Sequence, residues 1–201
     1  MQRKAPWNWL RSYARKHGSF DPELEDALNS LRLPIAVLTI LFGAAITFGQ
    51  ENKKANPETL RLMQTGSRFY LQHDFERAIP PYQAALDMEK NERTLEQNLW
   101  RVLVDNLGMA YGITGDLKKA KETFEYGLSK DPKYPMFHYN MACTYAEMDD
   151  AENAIQYLRS AFDNKQNMIK GERFPNPWTD DSFQRFMNND KFVSALKEIS
   201  K

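Results

Sequence analysis

Between residues 59 and 168 one pattern of small and aromatic residues is written three times. The middle copy runs Val104, Leu107, Gly108, Tyr111, then Ala120 and Phe124, and closes on Asp131-Pro132. The third copy starts 34 residues later, as His138, Met141, Ala142, Tyr145, then Ala154 and Leu158. The first stands 42 residues before the middle one, as Leu62, Thr65, Gly66, Phe69, then Ala78 and Tyr82. Steps of three and four place these residues on single helix faces, so each copy reads as two antiparallel helices. Glycine in a helix interior costs about 1 kcal/mol against alanine. Gly66, Gly108 and Ala142 therefore mark places where a neighbouring helix must come close. Ala78, Ala120 and Ala154 give the same clearance on the second helix, and Tyr111, Phe124, Tyr145 and Leu158 fill the space between.

The turns agree with this division. Gly115-Asp116 breaks the middle hairpin and Asp149-Asp150 the third, each with an acid placed to cap the following helix. Asp131-Pro132 ends the middle copy. The extra eight residues between the first two copies fall within 88–100. There Thr94-Leu95-Glu96-Gln97 has the form of a capping box. It starts a helix near Leu95 that Leu99, Val102, Leu103 and Leu107 continue for roughly five turns. Pro80-Pro81 lie inside the second helix of the first copy and are expected to kink or delay it.

With small and aromatic positions recurring together at this period, the segment resembles the tetratricopeptide repeat (TPR) family. The resemblance implies an all-α fold: a superhelical array of antiparallel helix pairs over residues 56–168, preceded by an N-terminal hydrophobic helix. It also implies a concave groove lined by the first helix of each pair. The family's groove positions fall on Met63, Ser67 and Tyr70 in the first copy and on Asp105, Asn106, Met109 and Ile113 in the second. In the third they fall on Met136, Tyr139, Asn140 and Cys143. Some members of the family clamp a peptide carboxylate with Lys, Asn and Arg at such positions. Only Asn106 matches that pattern, so chaperone-tail binding of that type is not expected. The remaining groove is apolar, rich in methionine, and suited to a helical or extended apolar segment of a partner. The alternative is a groove filled in cis by the chain's own terminal helices.

Residues 33–49 carry no charge and sit at the lower length limit for a membrane-spanning helix. Residues 33–50 therefore read as a transmembrane anchor or a signal peptide. As an anchor they leave the repeats outside the cytoplasm; as a signal peptide they are cleaved near Gln50 and the protein is exported. Residues 1–32 form a separate basic, amphipathic segment and linker. Arg3, Lys4, Arg11, Arg15 and Lys16 have no acid among the first twenty residues. Trp7, Leu10, Tyr13 and Ala14 share a helical face suited to an anionic membrane surface or a transit peptide. A start at Leu31 would instead leave an ordinary signal peptide. Arg32 on one side and Lys53 and Lys54 on the other leave orientation open.

Residues 169–201 depart from the repeat. Gly171 to Trp178 is rich in proline and reads as a loop. Thr179-Asp180-Asp181 then caps a helix carrying Phe183, Phe186 and Met187, and Asp190 a last helix carrying Phe192, Leu196 and Ile199. A stacked array leaves an apolar face at its end, and this segment resembles those that close many bacterial repeat arrays.

Chemistry finds little support. The 27 basic and 27 acidic residues cancel, which argues against binding nucleic acid through its phosphates. A single cysteine, Cys143, excludes an internal disulfide framework, and as an unpaired helix residue it suits half-buried packing. His17, His73 and His138 lack metal-ligand spacing. Gly108, Gly112 and Gly115 have the wrong spacing for a phosphate loop, and the paired acids sit where helices begin. No catalytic residue, metal, cofactor or small-molecule substrate is expected. The expected function is a non-enzymatic scaffold for protein–protein interaction, with membrane contact through residues 33–49. The alternative is a structural subunit of a membrane complex, in which Pro34, Gly43, Ala44 and Ala45 allow close helix approach and the repeats act as a spacer.

Overall fold

The computed structural model describes residues 54–200, so the basic segment and the apolar segment at 33–49 lie outside the described residues. Within them the chain is a run of helices without strands. Three antiparallel pairs follow one another: α1 (Pro57–Leu71) with α2 (Phe75–Asn91), α3 (Gln97–Thr114) with α4 (Leu117–Lys130), and α5 (Pro135–Glu147) with α6 (Ala151–Asp163). Each pair packs on itself and on the next, and the first helices α1, α3 and α5 lie side by side. A short 3-10 turn at Lys165–Asn167 leads to α7 (Asp181–Gln184) and α8 (Asp190–Ile199). Among the described residues no helix is long and apolar enough to cross a membrane.

Close approach is what the small residues provide. A Cβ built on Gly66 would stand 2.6 Å from the Tyr82 ring, and one on Gly108 would stand 2.5 Å from the Phe124 ring. Ala78, Ala120, Ala142 and Ala154 are fully buried, as are Tyr82, Phe124 and Leu158. In the first two pairs the second helix therefore presses an aromatic ring into a glycine notch on its own first helix.

The three hairpin turns are built alike. His73, Gly115 and Asp149 take left-handed backbone at φ 60°, 92° and 63°. In each copy the next residue's N–H reaches back 2.9 Å to a carbonyl five residues upstream: Asp74 to Phe69, Asp116 to Tyr111, Asp150 to Tyr145. This closes the first helix in a Schellman-like turn. The same aspartates then cap the second helix, accepting from Arg77 N, Lys119 N and Asn153 N. Asn56 caps α1, with Pro57 as its first helical residue, and Pro135 opens α5.

Two local expectations are met only in part. Helix α2 is not delayed: it starts at Phe75 and runs through Pro80 and Pro81. Helix α3 begins at Gln97, two residues past Leu95, and its 18 residues make the expected run of about five turns, but Glu96 at its N-cap makes no side-chain bond, so the capping box does not form. The Thr94 hydroxyl is instead donated to Glu89 at 2.8 Å and accepts from Asn56 N at 3.0 Å. The buried Glu89 carboxylate also takes the Thr94 and Leu95 N–H groups. One carboxylate thus gathers the donors of the inserted turn, which makes a capping box unnecessary there. The early part of α3 carries Trp100, fully buried with its ring edge-on to Phe137 at 5.8 Å and Tyr126 at 6.0 Å.

At the far end α8 packs on α6 and α7 on α5. Phe183, Phe192 and Leu196 are buried in the common core. The last helix is capped by Asn189, accepting from Phe192 N at 3.2 Å, not by Asp190. The ion pairs Arg159–Glu198 and Lys191–Glu152 flank this contact on the surface and add little to it.

Candidate functional site

The groove positions lie along α1, α3 and α5, and they divide into an open and a covered part. On α1 and α3, Ser67, Tyr70, Asp105 and Asn106 are half-buried. Met63, Met109 and Ile113 lie deeper and form part of the core. The Tyr82 hydroxyl, reaching up from α2, joins the two first helices: it pairs with Ser67 Oγ at 3.0 Å and accepts from Asn106 Nδ2 at 3.2 Å. Burial pushes this phenol up to about 12, so it stays a neutral donor and acceptor. Tyr70 leans on Phe75 edge-on at 5.0 Å and points its hydroxyl at Met109 Sδ, 3.6 Å away. This part is an apolar, thioether-bearing floor with Ser67, Tyr70 and Asn106 at its surface.

On α5 the arrangement differs. Met136 is nearly buried, and Tyr139, Asn140 and Cys143 are completely so. What covers them is the chain itself. Tyr139 donates to Asp180 at 2.7 Å, and its ring stands edge-on to Phe174 at 5.6 Å and to Phe183 at 5.9 Å. The Cys143 thiol lies 3.9 Å from the same Asp180 oxygen. Burial, then the neighbouring Asp180, raises that thiol well above its ordinary range, which keeps it unreactive. Tyr134 donates to Glu172 at 2.7 Å, and Pro175 and Pro177 are buried. The segment 168–180 is thus a strap across the third copy's share of the groove.

Where strap and α3 meet, polar groups collect. Asn140 Nδ2 donates to Asp105 at 2.6 Å. Arg101 binds Asp131 at 2.7 Å and lies over the Tyr134 ring at 4.6 Å, while Gln97 donates to the same Asp131 oxygen. The Asp105 carboxyl is pushed up to about 8 by burial and then by the Glu172 charge, against the Asn140 hydrogen bond.

Glu172, Phe174, Tyr134 and Arg101 carry no motif that marks them, and Asp180 is legible in the sequence only as a helix cap, the role it also fills for α7 by accepting from Ser182 N. The strap has no period to align. Its one signal is composition, with Phe174 and Trp178 set among prolines where a free loop would be polar.

The model of the tetratricopeptide repeat family matches residues 104–134 and 137–167, so α3–α4 and α5–α6 are repeats of that kind. Among curated proteins none matches the chain. Among solved structures the chain is similar to the Sgt2 TPR domain from Aspergillus fumigatus, at 19% identity and a TM-score of 0.51, covering 76% of this chain and 85% of that one. PcrH from Pseudomonas aeruginosa matches at 16% identity and a TM-score of 0.46, covering 71% of this chain and 92% of that one. The fold of the described residues is therefore an all-helical array of TPR type.

Proposed function

We propose that this protein is a non-enzymatic scaffold that holds a segment of another protein along α1 and α3, with the α5 end of the groove closed by its own strap. The observation that carries this reading is the division of the groove. Ser67, Tyr70 and Asn106 stay reachable over a methionine floor, while Tyr139 and Asn140 have no exposed surface. An apolar helix or extended segment suits the open part, because methionine side chains repack around varied apolar shapes. Tyr70→Glu places a charge on this floor at a half-buried site. Affinity capture from its own cells, compared with the wild type, should lose the bound protein while circular dichroism stays unchanged. Full recovery by the folded variant would rule this surface out.

The same reading includes membrane attachment or export through residues 33–49, supported by their lack of charge. Sequencing the mature N-terminus separates the two: a terminus near Gln50 means export, a retained one an anchor. The small residues at 43–45 favour a second reading, a spacer subunit whose apolar helix packs in a membrane complex. Deleting residues 1–50 would then abolish assembly, whereas a groove-held partner would stay bound.

A further inference from the structure

We infer that residues 169–179 of the strap are a built-in stand-in for part of the bound segment, displaced by a partner that offers the same chemistry: a carboxylate two residues ahead of an aromatic ring, with proline after the ring. This rests on the scaffold reading and adds to it which partner gains the α5 end of the groove.

The strap lies where a partner would lie. The Tyr139 ring that it meets is an α5 groove position, one repeat on from Asp105 of α3. Side chains hold it there. Glu172 accepts from the Tyr134 hydroxyl at 2.7 Å. The Phe174 ring stands edge-on to Tyr139 at 5.6 Å and to Phe162 at 4.9 Å, with Lys165 over it at 5.1 Å. The backbone bonds of the strap are local. Ile169 to Glu172 close a turn around Gly171, which takes left-handed backbone at φ 94°: Glu172 N donates to Ile169 O and Ile169 N to the Glu172 carboxylate, both at 3.0 Å. A second turn runs from Asn176, where Trp178 N donates to its side chain and Thr179 N to its carbonyl, both at 3.1 Å. Pro175 and Pro177 have no N–H to give to a neighbour. The strap can therefore lift with both turns intact and no helix ladder broken.

Packing is graded along this part of the chain. Beyond Asp180, Phe183 and Phe192 have no exposed surface. Within the strap only the two prolines are buried; Phe174 and Trp178 are half-buried, and Glu172, Arg173 and Asn176 are exposed. Stabilisation by burial follows the apolar area removed from water, so the strap opens before the α7–α8 cap does. Asp180 stays behind as the cap of α7, accepting from Ser182 N. Strap and partner then compete for one surface, and the strap's advantage is its tether, which holds it at an effective concentration of about a millimolar. A partner with apolar residues alone binds α1 and α3 and leaves the strap seated. One that also brings the acid and the ring takes Tyr134 and Tyr139 from it.

The probe is the strap's own sequence supplied in trans, acetyl-Ile-Lys-Gly-Glu-Arg-Phe-Pro-Asn-Pro-Trp-Thr-amide carrying a fluorophore, titrated into the full chain in detergent and read by anisotropy. Phe174→Ala and Glu172→Ala weaken the strap in cis and leave α5 untouched. Each variant should bind the peptide at least about tenfold more tightly than the wild type, because its site is free for a larger fraction of the time. Glu172 is exposed, so its variant keeps the test open if the ring proves necessary for folding. The same peptide with alanine in place of phenylalanine should lose the gain. Amide exchange in the Phe174→Ala chain should slow across α5 when the parent peptide is added. Folded variants that bind the peptide no better than the wild type, or that gain equally for the alanine peptide, would make the strap a fixed piece of the fold and overturn the inference. Adding Tyr70→Glu should leave peptide binding unchanged, so failure of the open floor and failure of strap exchange read out separately.

Discussion

Gly108 shows how much one hydrogen atom decides. Alanine would gain about 1 kcal/mol of helix propensity there. Its methyl carbon, however, would stand 2.5 Å from a ring that is itself fully buried, and such overpacking costs about 1–3 kcal/mol. Gly108→Ala should therefore destabilise the fold in urea unfolding, and Phe124→Leu in the same chain should recover part of the loss. A stabilised Gly108→Ala variant would mean that the two helices do not touch there. Asp105 sets a pH dependence at the same scale. Its folded carboxyl lies at about 8 against about 4 in an unfolded chain, so between those values the folded state holds the extra proton. Its contribution to stability is full below about pH 4 and is lost as pH rises through about 8. Asp180, pushed up to about 7 mainly by burial, acts in the same direction. The melting temperature should fall between about pH 5 and about pH 9, and Asp105→Asn should flatten that slope. An unchanged slope in the variant would contradict the assignment.

Among elements, the strap is held by specific bonds to α5 rather than by covering it loosely. Tyr139→Phe keeps the ring against Phe174 and Phe183 but removes the 2.7 Å bond to Asp180. The loss of a bond to a buried carboxyl is expected to cost about 1–3 kcal/mol. Amide exchange should quicken across residues 168–180 and stay unchanged in α3 and α4; uniform protection would contradict a locally held strap. The helix pairs were legible in the sequence because their contacts repeat. Gly108 with Phe124 and Gly66 with Tyr82 are neighbours within one hairpin, and each aspartate cap lies three residues from the N–H it accepts. The strap was not, because Tyr134–Glu172 and Tyr139–Asp180 join residues 38 and 41 positions apart with no recurrence to reveal them. The capping box expected at the start of α3 fails for a related reason. The pattern at Thr94 is that of a capping box, but its donors are taken by Glu89 from the preceding helix. For the groove, the repeat pattern tells which helix faces inward, whereas nothing in it tells that Tyr139 and Cys143 are roofed over.

Across the whole molecule the array is asymmetric. One end closes on itself through the strap, α7 and α8, and the other leaves α1 as its outermost described helix. The second helices carry charged surfaces, with Lys118 well exposed on α4, and the first helices carry the reachable apolar floor. A protein held in the groove must therefore touch α1 and α3 and leave α4 free. A photo-reactive phenylalanine analogue placed at Tyr70 or at Lys118 in living cells reads this directly. The account predicts one discrete cross-linked product from position 70, absent from position 118 and lost when Ser67→Arg is added to block the floor. Cross-linking that is equal at the two positions, or absent at 70 in a folded protein, would contradict it.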